Sequence, residues 1–136
     1  MNFQFTEKEE AFRHEIRHFL KQELPPEGLD TEEAAGDDER WTRYKEFMRK
    51  MRSRGWLTVS WPKEYGGMDL TPTEQLIFIE EMAYHKAPFM SSAGSIWVGP
   101  TIAIYGTEEQ REKYLPGIAR GEIDICLGYS EPGAGS

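Results

Sequence analysis

The sequence predicts a mainly α-helical chain with one β-strand at its C-terminal end. Three observations lead there. Three segments open on a capping box, Thr6 with Glu9, Thr71 with Glu74 and Thr107 with Gln110. Apolar residues recur after them at helical spacing. Only Ile123 to Leu127, near the end, reads as the start of a strand.

The first helix spans about residues 7–22. Phe12, Ile16, Phe19 and Leu20 fall at i, i+4, i+7 and i+8 and form one apolar stripe. Pro25-Pro26 ends it. Residues 25–40 are acidic and aperiodic, as an exposed connection is. Trp41, Tyr44, Met48 and Met51 mark a second helix, closed by Gly55 just past its end. The stretch G-W-L-T-V-S-W-P-K-E-Y-G-G-M-D-L-T (55–71) breaks all periodicity and reads as a structured loop with aromatic anchors.

Thr71, Pro72 and Glu74 then supply a cap, a proline at the first helical position and an acid at the third. The helix they open runs to about Lys86. Its run L-I-F-I (76–79) makes it apolar around much of its girth, as in a central helix. Ser91–Tyr105 is small and apolar. Pro100 within it removes a backbone donor and disfavours helix at Gly99, so a kink or break is expected there. A last helix follows Thr107 and ends near Gly117 or Gly121.

At 136 residues the chain is long enough for one domain with its own core. Four Trp, seven Phe and six Tyr argue against disorder. A net charge of −8 argues against a nucleic-acid partner, which needs a basic footprint, and against anionic membranes. The single Cys126 has no internal partner, and its apolar run I-D-I-C-L suggests a buried thiol. The charged N-terminus lacks the apolar core of a signal peptide, and no apolar run approaches the ~20 residues of a membrane helix.

His14-Glu15-Ile16-Arg17-His18 matches the H-E-x-x-H zinc pattern. On a helix, however, His14 and His18 fall opposite the apolar stripe, and a catalytic zinc needs a walled cleft and a third ligand. The expectation is two solvated histidines and no metal.

The chain closes on G-Y-S-E-P-G-A-G-S (128–136), a glycine-rich loop after the strand. Without Cβ atoms in the way, its backbone suits a phosphate or a polar ring edge; a plain turn is the other reading. It lacks the G-K-[ST] of a phosphate loop and the G-x-G-x-x-G of a dinucleotide fingerprint.

Three stretches together resemble the acyl-CoA dehydrogenase family. G-W-L-T-V-S-W-P-K-E-Y-G-G (55–67) is similar to its G-(W/L)-x-x-x-x-x-P-x-x-Y-G-G loop. Gly106-Thr107 with E-E-Q-R-E-K-Y-L-P (108–116) is similar to its G-T-x-x-Q-x-x-x-Y-L-P segment. Y-S-E-P-G-A-G-S (129–136) resembles its (S/T)-E-P-x-A-G-S-D signature, whose Asp would come next. Their order and spacing agree over the whole chain.

The resemblance implies a fold: residues 1–121 as the N-terminal helical-bundle domain and 122–136 as the truncated start of a middle β-domain, roughly a third of a family member. It implies an activity: FAD-dependent α,β-dehydrogenation of an acyl-CoA thioester to the trans-2-enoyl-CoA, in which a carboxylate takes the α-proton and the β-hydrogen leaves as hydride. Hydrogen bonds to the thioester oxygen stabilise the developing enolate, and a base of raised pKa in a dry pocket suits the proton step.

By resemblance, Leu127, Tyr129, Ser130, Gly135 and Ser136 touch the flavin, and Ser136, Ser95, Val98 and Gly99 contribute to the substrate site. Small Ser92, Ala93, Gly94 and Ser95 leave room for a wide or long acyl group, or else pack helices closely. The catalytic base is expected in a C-terminal region beyond Ser136, and Glu80 and Glu81 read as a polar helix edge. Further implications are electron-transfer flavoprotein as acceptor, a homo- or hetero-oligomer, and a cytoplasmic location (mitochondrial matrix in a eukaryote). Two other readings stay open: an oxidase-like relative that returns electrons to O₂, and a non-catalytic helical module that associates through its exposed apolar surface.

Overall fold

The computed structural model describes residues 4–29, 36–88, 93–128 and 130–135. Tyr129 and Ser136, expected in the flavin site, and Ser92, expected near the acyl group, lie outside the described residues.

Five α-helices are described: α1 Glu7–Glu23, α2 Asp38–Ser53, α3 Pro72–Tyr84, α4 Gly99–Tyr105 and α5 Glu108–Ala119. All three capping boxes form. In each, the threonine oxygen accepts the backbone N–H of the third residue, whose side chain accepts the threonine N–H. Asp37 caps α2 by accepting from the Glu39 and Arg40 amides. Leu24, just before the proline pair, is extended and ends α1.

The stripe on α1 buries Ile16, Phe19 and Leu20 against α3. These residues share a core with Phe47, Met48 and Met51 of α2 and with Ile77, Phe78 and Met82 of α3. Trp56 closes it, edge-on to Phe19 with ring centres 4.9 Å apart and to Phe78 at 5.6 Å. A second, smaller core holds Trp61, Leu115, Ile118 and Ala119, with Ile102, Ile123 and Ile125 packed on it.

The structure differs from the sequence reading in five places. Gly99 is helical, not a break: Gly94–Val98 is a π-helical turn that runs straight into α4, and the Gly99 N–H reaches back to the Gly94 carbonyl. The widened turn absorbs the irregularity that Pro100 imposes. The expected strand forms no ladder among the described residues. The segment is extended, with Ile123 and Ile125 half-buried and Asp124 and Cys126 exposed, but no neighbouring strand accepts its backbone bonds. Cys126 is therefore exposed, not buried. Glu81 is buried, whereas Glu80 does lie at the polar edge. Trp41 is 40% exposed, so the α2 stripe faces the core only from Tyr44 onward.

Candidate functional site

The site-bearing region is organised by Trp61, and the loop that carries Trp61 needs its paired glycines. Gly66 has φ +85°, open to glycine at low cost. At Gly67 a Cβ would stand 2.0 Å from the Trp61 carbonyl oxygen, so only glycine permits that backbone approach. Thr58 Oγ1 donates to the Gly66 carbonyl, and the Asp69 N–H donates to the Trp61 carbonyl at 2.9 Å. The loop is thereby fixed around a buried indole.

That indole holds the π-turn. Trp61 Nε1 donates to the Ser95 carbonyl at 2.8 Å in a buried bond. The six-membered ring packs on Gly99, where a Cβ would come 2.0 Å from Trp61 Cζ2. Of the residues expected to contribute to a substrate site, Ser95 and Gly99 are thus brought together and buried against one ring, and Val98 is half-buried beside them. Gly94 is buried as well, so these small residues seal a close contact in the chain as it stands.

The C-terminal segment is laid onto α5 by glycine again. Gly121, at φ +61°, turns the chain after the helix, and the Glu122 and Ile123 amides both donate to the Gly117 carbonyl. Ile123 occupies the space over Gly117, where a Cβ would stand 2.5 Å from its Cδ1. Beyond it, Glu131 and Ala134 exchange two backbone hydrogen bonds, 2.7 and 3.0 Å, and close the E-P-G-A turn. The turn carries Gly135 back to Ser130, with a would-be Cβ 3.1 Å from the Ser130 hydroxyl.

Leu127, Ser130 and Gly135, the described part of the set expected at the flavin, all lie exposed on this segment. Apart from their immediate chain neighbours, no atom of the described residues lies within 4 Å of where a Cβ would stand on Gly128 or Gly133. A hydroxyl and glycine backbone at an exposed turn, with an exposed apolar side chain earlier on the same segment, suit the edge of a flat, polar ring system. These residues and the Ser95–Gly99 turn are both tied to the second core, through Ile123 and through Trp61.

Glu81 is a buried carboxylate with three basic side chains around it. Arg17 clamps it with two bonds of 2.8 Å, and Arg13 Nε lies 3.2 Å from it without hydrogen-bond alignment. His85 Nε2 stands 3.8 Å away. With both oxygens taken by guanidinium, Glu81 acts as a structural tie between α1 and α3 rather than a base. Glu74 behaves similarly. A hydrogen bond from Lys8, with the Thr71 amide, holds its carboxyl down to about 2. His14 and His18 are exposed, as the helical wheel implies, and no group of three metal-ligating side chains occurs among the described residues.

Sequence reasoning missed Trp61 as the centre of this region. The available signal was its place in the W-P-K-E-Y-G-G loop, where paired glycines mark a close backbone approach.

The acyl-CoA dehydrogenase N-terminal domain model matches residues 6–122. The chain is 38% identical to acyl-CoA dehydrogenase FadE26 of Mycobacterium tuberculosis, over all of this chain and 34% of that protein. Among solved structures it is similar to the ChsE4-ChsE5 complex from Mycobacterium tuberculosis, with a TM-score of 0.78, 38% identity, and coverage of 99% of this chain and 33% of that one. It is equally similar to the Tcur3481-Tcur3483 steroid ACAD, with a TM-score of 0.78, 38% identity, and coverage of 99% and 34%. The chain thus spans about a third of the length of the relatives it matches.

Proposed function

The chain belongs to the acyl-CoA dehydrogenase family, as its N-terminal helical domain, and on that premise we propose that it serves an enzyme that dehydrogenates a bulky, ring-bearing acyl-CoA thioester between Cα and Cβ. The observation that carries this reading is the family match over residues 6–122, followed directly by Y-S-E-P-G-A-G-S. The substrate class rests on the relatives: a neighbour at 38% identity is a steroid ACAD.

Leu127, Ser130 and Gly135, with Tyr129 and Ser136, would hold one edge of the flavin, which when bound supplies the hydride acceptor. Ser130 offers a hydroxyl, Gly135 and its neighbours a backbone that a ring can approach, and Leu127 an apolar contact. Ser95, Val98 and Gly99, with Ser136, would border the acyl and CoA parts of the substrate. In this reading the Trp61 ring fixes the backbone of that wall through its bond to the Ser95 carbonyl. Residues 122–136 begin a β-domain, and the base that takes the α-proton comes from sequence beyond Ser136. Electron-transfer flavoprotein as acceptor and assembly with a second subunit complete the proposal. The latter is supported by the two-subunit complex to which the chain is similar.

In this reading the 136-residue chain supplies one wall of a flavin site, and the base comes from elsewhere. Alone, the chain is expected to purify colourless and to leave acyl-CoA unoxidised. Joined to a family-length C-terminal portion, it should retain flavin that bleaches with a polycyclic acyl-CoA faster than with a straight-chain one. A yellow, active preparation of the short chain would contradict the assignment of the base. Preferential bleaching by straight-chain substrates would remove the ring-bearing class.

A further inference from the structure

One face of α2 has no part in the reading above. Trp41, Tyr44, Lys45, Arg49 and Arg52 follow at i, i+3, i+4, i+8 and i+11 and so stand along one side of the helix. This side lines a groove of about 620 Å³, together with Leu57, Ser95, Ile118 and Ile123. The volume falls within the ~300–1,000 Å³ usual for small-molecule sites.

The charge of the groove runs against that of the chain. The net charge is −8, and Lys8, Arg13, Arg17, Lys50 and Arg54 are each paired with a carboxylate. Lys45, Arg49 and Arg52 make no ion pair among the described residues, and Asp124 is the one carboxylate of the lining. Arg52 lies across Gly121, where a Cβ would stand 2.2 Å from its Nε. That Nε is buried without a hydrogen-bond acceptor among the described residues, as are those of Arg13 and Arg111, so the donors that Arg52 can offer a ligand are the other N–H groups of its guanidinium. At the head of the same face the Trp41 and Tyr44 rings stack, 5.0 Å apart and 7° from parallel, and offer a flat apolar platform.

We propose that this groove binds a planar, ring-bearing carboxylate, its rings against the Trp41–Tyr44 platform and the aliphatic wall, its carboxylate taken by Arg49 and Arg52. Guanidinium forks match a carboxylate with two parallel bonds, whereas a lysine offers a point charge. An aromatic pair rewards a flat body over a flexible alkyl chain.

The probe is 2-naphthoate, titrated into the 136-residue chain by calorimetry and by quenching of tryptophan fluorescence. Saturable one-to-one binding with Kd below about 1 mM is expected. Arg49→Gln with Arg52→Gln should weaken it at least tenfold, about 1.4 kcal/mol. 2-Naphthol, which lacks the carboxylate, and hexanoate, which lacks the ring, should both bind more weakly than 2-naphthoate. Thermal unfolding followed by circular dichroism checks that the variant is folded; Lys45→Gln, a milder change on the same face, should weaken binding in the same direction. Absence of saturable binding, undiminished binding by the folded double variant, or equal binding of 2-naphthol would each overturn the proposal.

Discussion

Glu74 shows how a single side chain can be read for pH dependence. It is buried at the first turn of α3 and accepts from the Thr71 amide and hydroxyl and from Lys8, at 2.7 Å. These contacts favour the ionised form and depress its pKa to about 2 from 4.5, while Lys8 is raised by the same bond. A depressed carboxyl contributes stability that is whole above its unfolded value and is lost as pH falls through its folded one. In Glu74→Gln, glutamine can still serve the capping box, as Gln110 does on α5, so the ionic part is what disappears. The urea midpoint of the wild type should exceed that of the variant at pH 6, and the gap should close between pH 4.5 and 2. A gap that holds at pH 2 would show that the carboxylate is not the source. Gly99 gives a second residue-scale prediction, one in which two effects oppose each other. Replacing glycine by alanine inside a helix ordinarily gains about 1 kcal/mol. Here the new methyl would meet Trp61 Cζ2 at 2.0 Å, and overpacking costs about 1–3 kcal/mol. Gly99→Ala should therefore destabilise the chain in urea unfolding, and a stabilised variant would mean that the indole is free to move.

Elements were most legible where their ends are chemically marked. The threonine boxes at residues 6, 71 and 107 place three helix starts within a residue of those observed. Gly55 at φ +72° closes α2 as expected. These signals are local, so sequence carries them in full. The cap of α5 is exposed and depends on few tertiary contacts, which makes it a clean place to measure one. Thr107→Ala should cost about 1 kcal/mol in urea unfolding, since it frees the Gln110 amide; an unchanged midpoint would mean that water replaces the cap without loss. The π-turn before α4 was less legible. Pro100 announced an irregularity, but its form depends on Trp61, 39 positions earlier, which takes the Ser95 carbonyl into a buried bond. The 123–127 segment fails in the opposite sense. Its alternation is real, with Ile123 and Ile125 turned to the second core, yet a ladder is a property of two strands and one segment cannot specify it.

At the scale of the whole molecule, two cores account for most of the buried apolar side chains, and the remaining apolar surface is concentrated on α3 and around α4. The apolar breadth of α3 was legible in L-I-F-I; which of its faces would be covered was not, because that depends on what packs there. Ile77 and Phe78 are buried, whereas Leu76 and Ile79 are 52% and 45% exposed. Trp97, Ile104 and Tyr105 add a second exposed set near α4. The candidate site divides in the same way. Candidates for it could be proposed from motifs, but the burial of Ser95 and Gly99 under Trp61 and the basic side of α2 emerge only from packing. Exposed aliphatic side chains on adjacent helical turns favour association in water. The 136-residue chain should therefore associate with rising concentration in sedimentation velocity. Leu76→Lys with Ile79→Lys should return it to monomer while leaving stability within about 0.5 kcal/mol, as expected for exposed positions away from caps and ion pairs. A wild-type chain that stays monomeric would show that the α3 face is too small or too broken to associate. A variant that still associates would move the interface to the Trp97–Tyr105 region, and one that loses several kcal/mol would mean that Leu76 and Ile79 support the fold more than their exposure indicates.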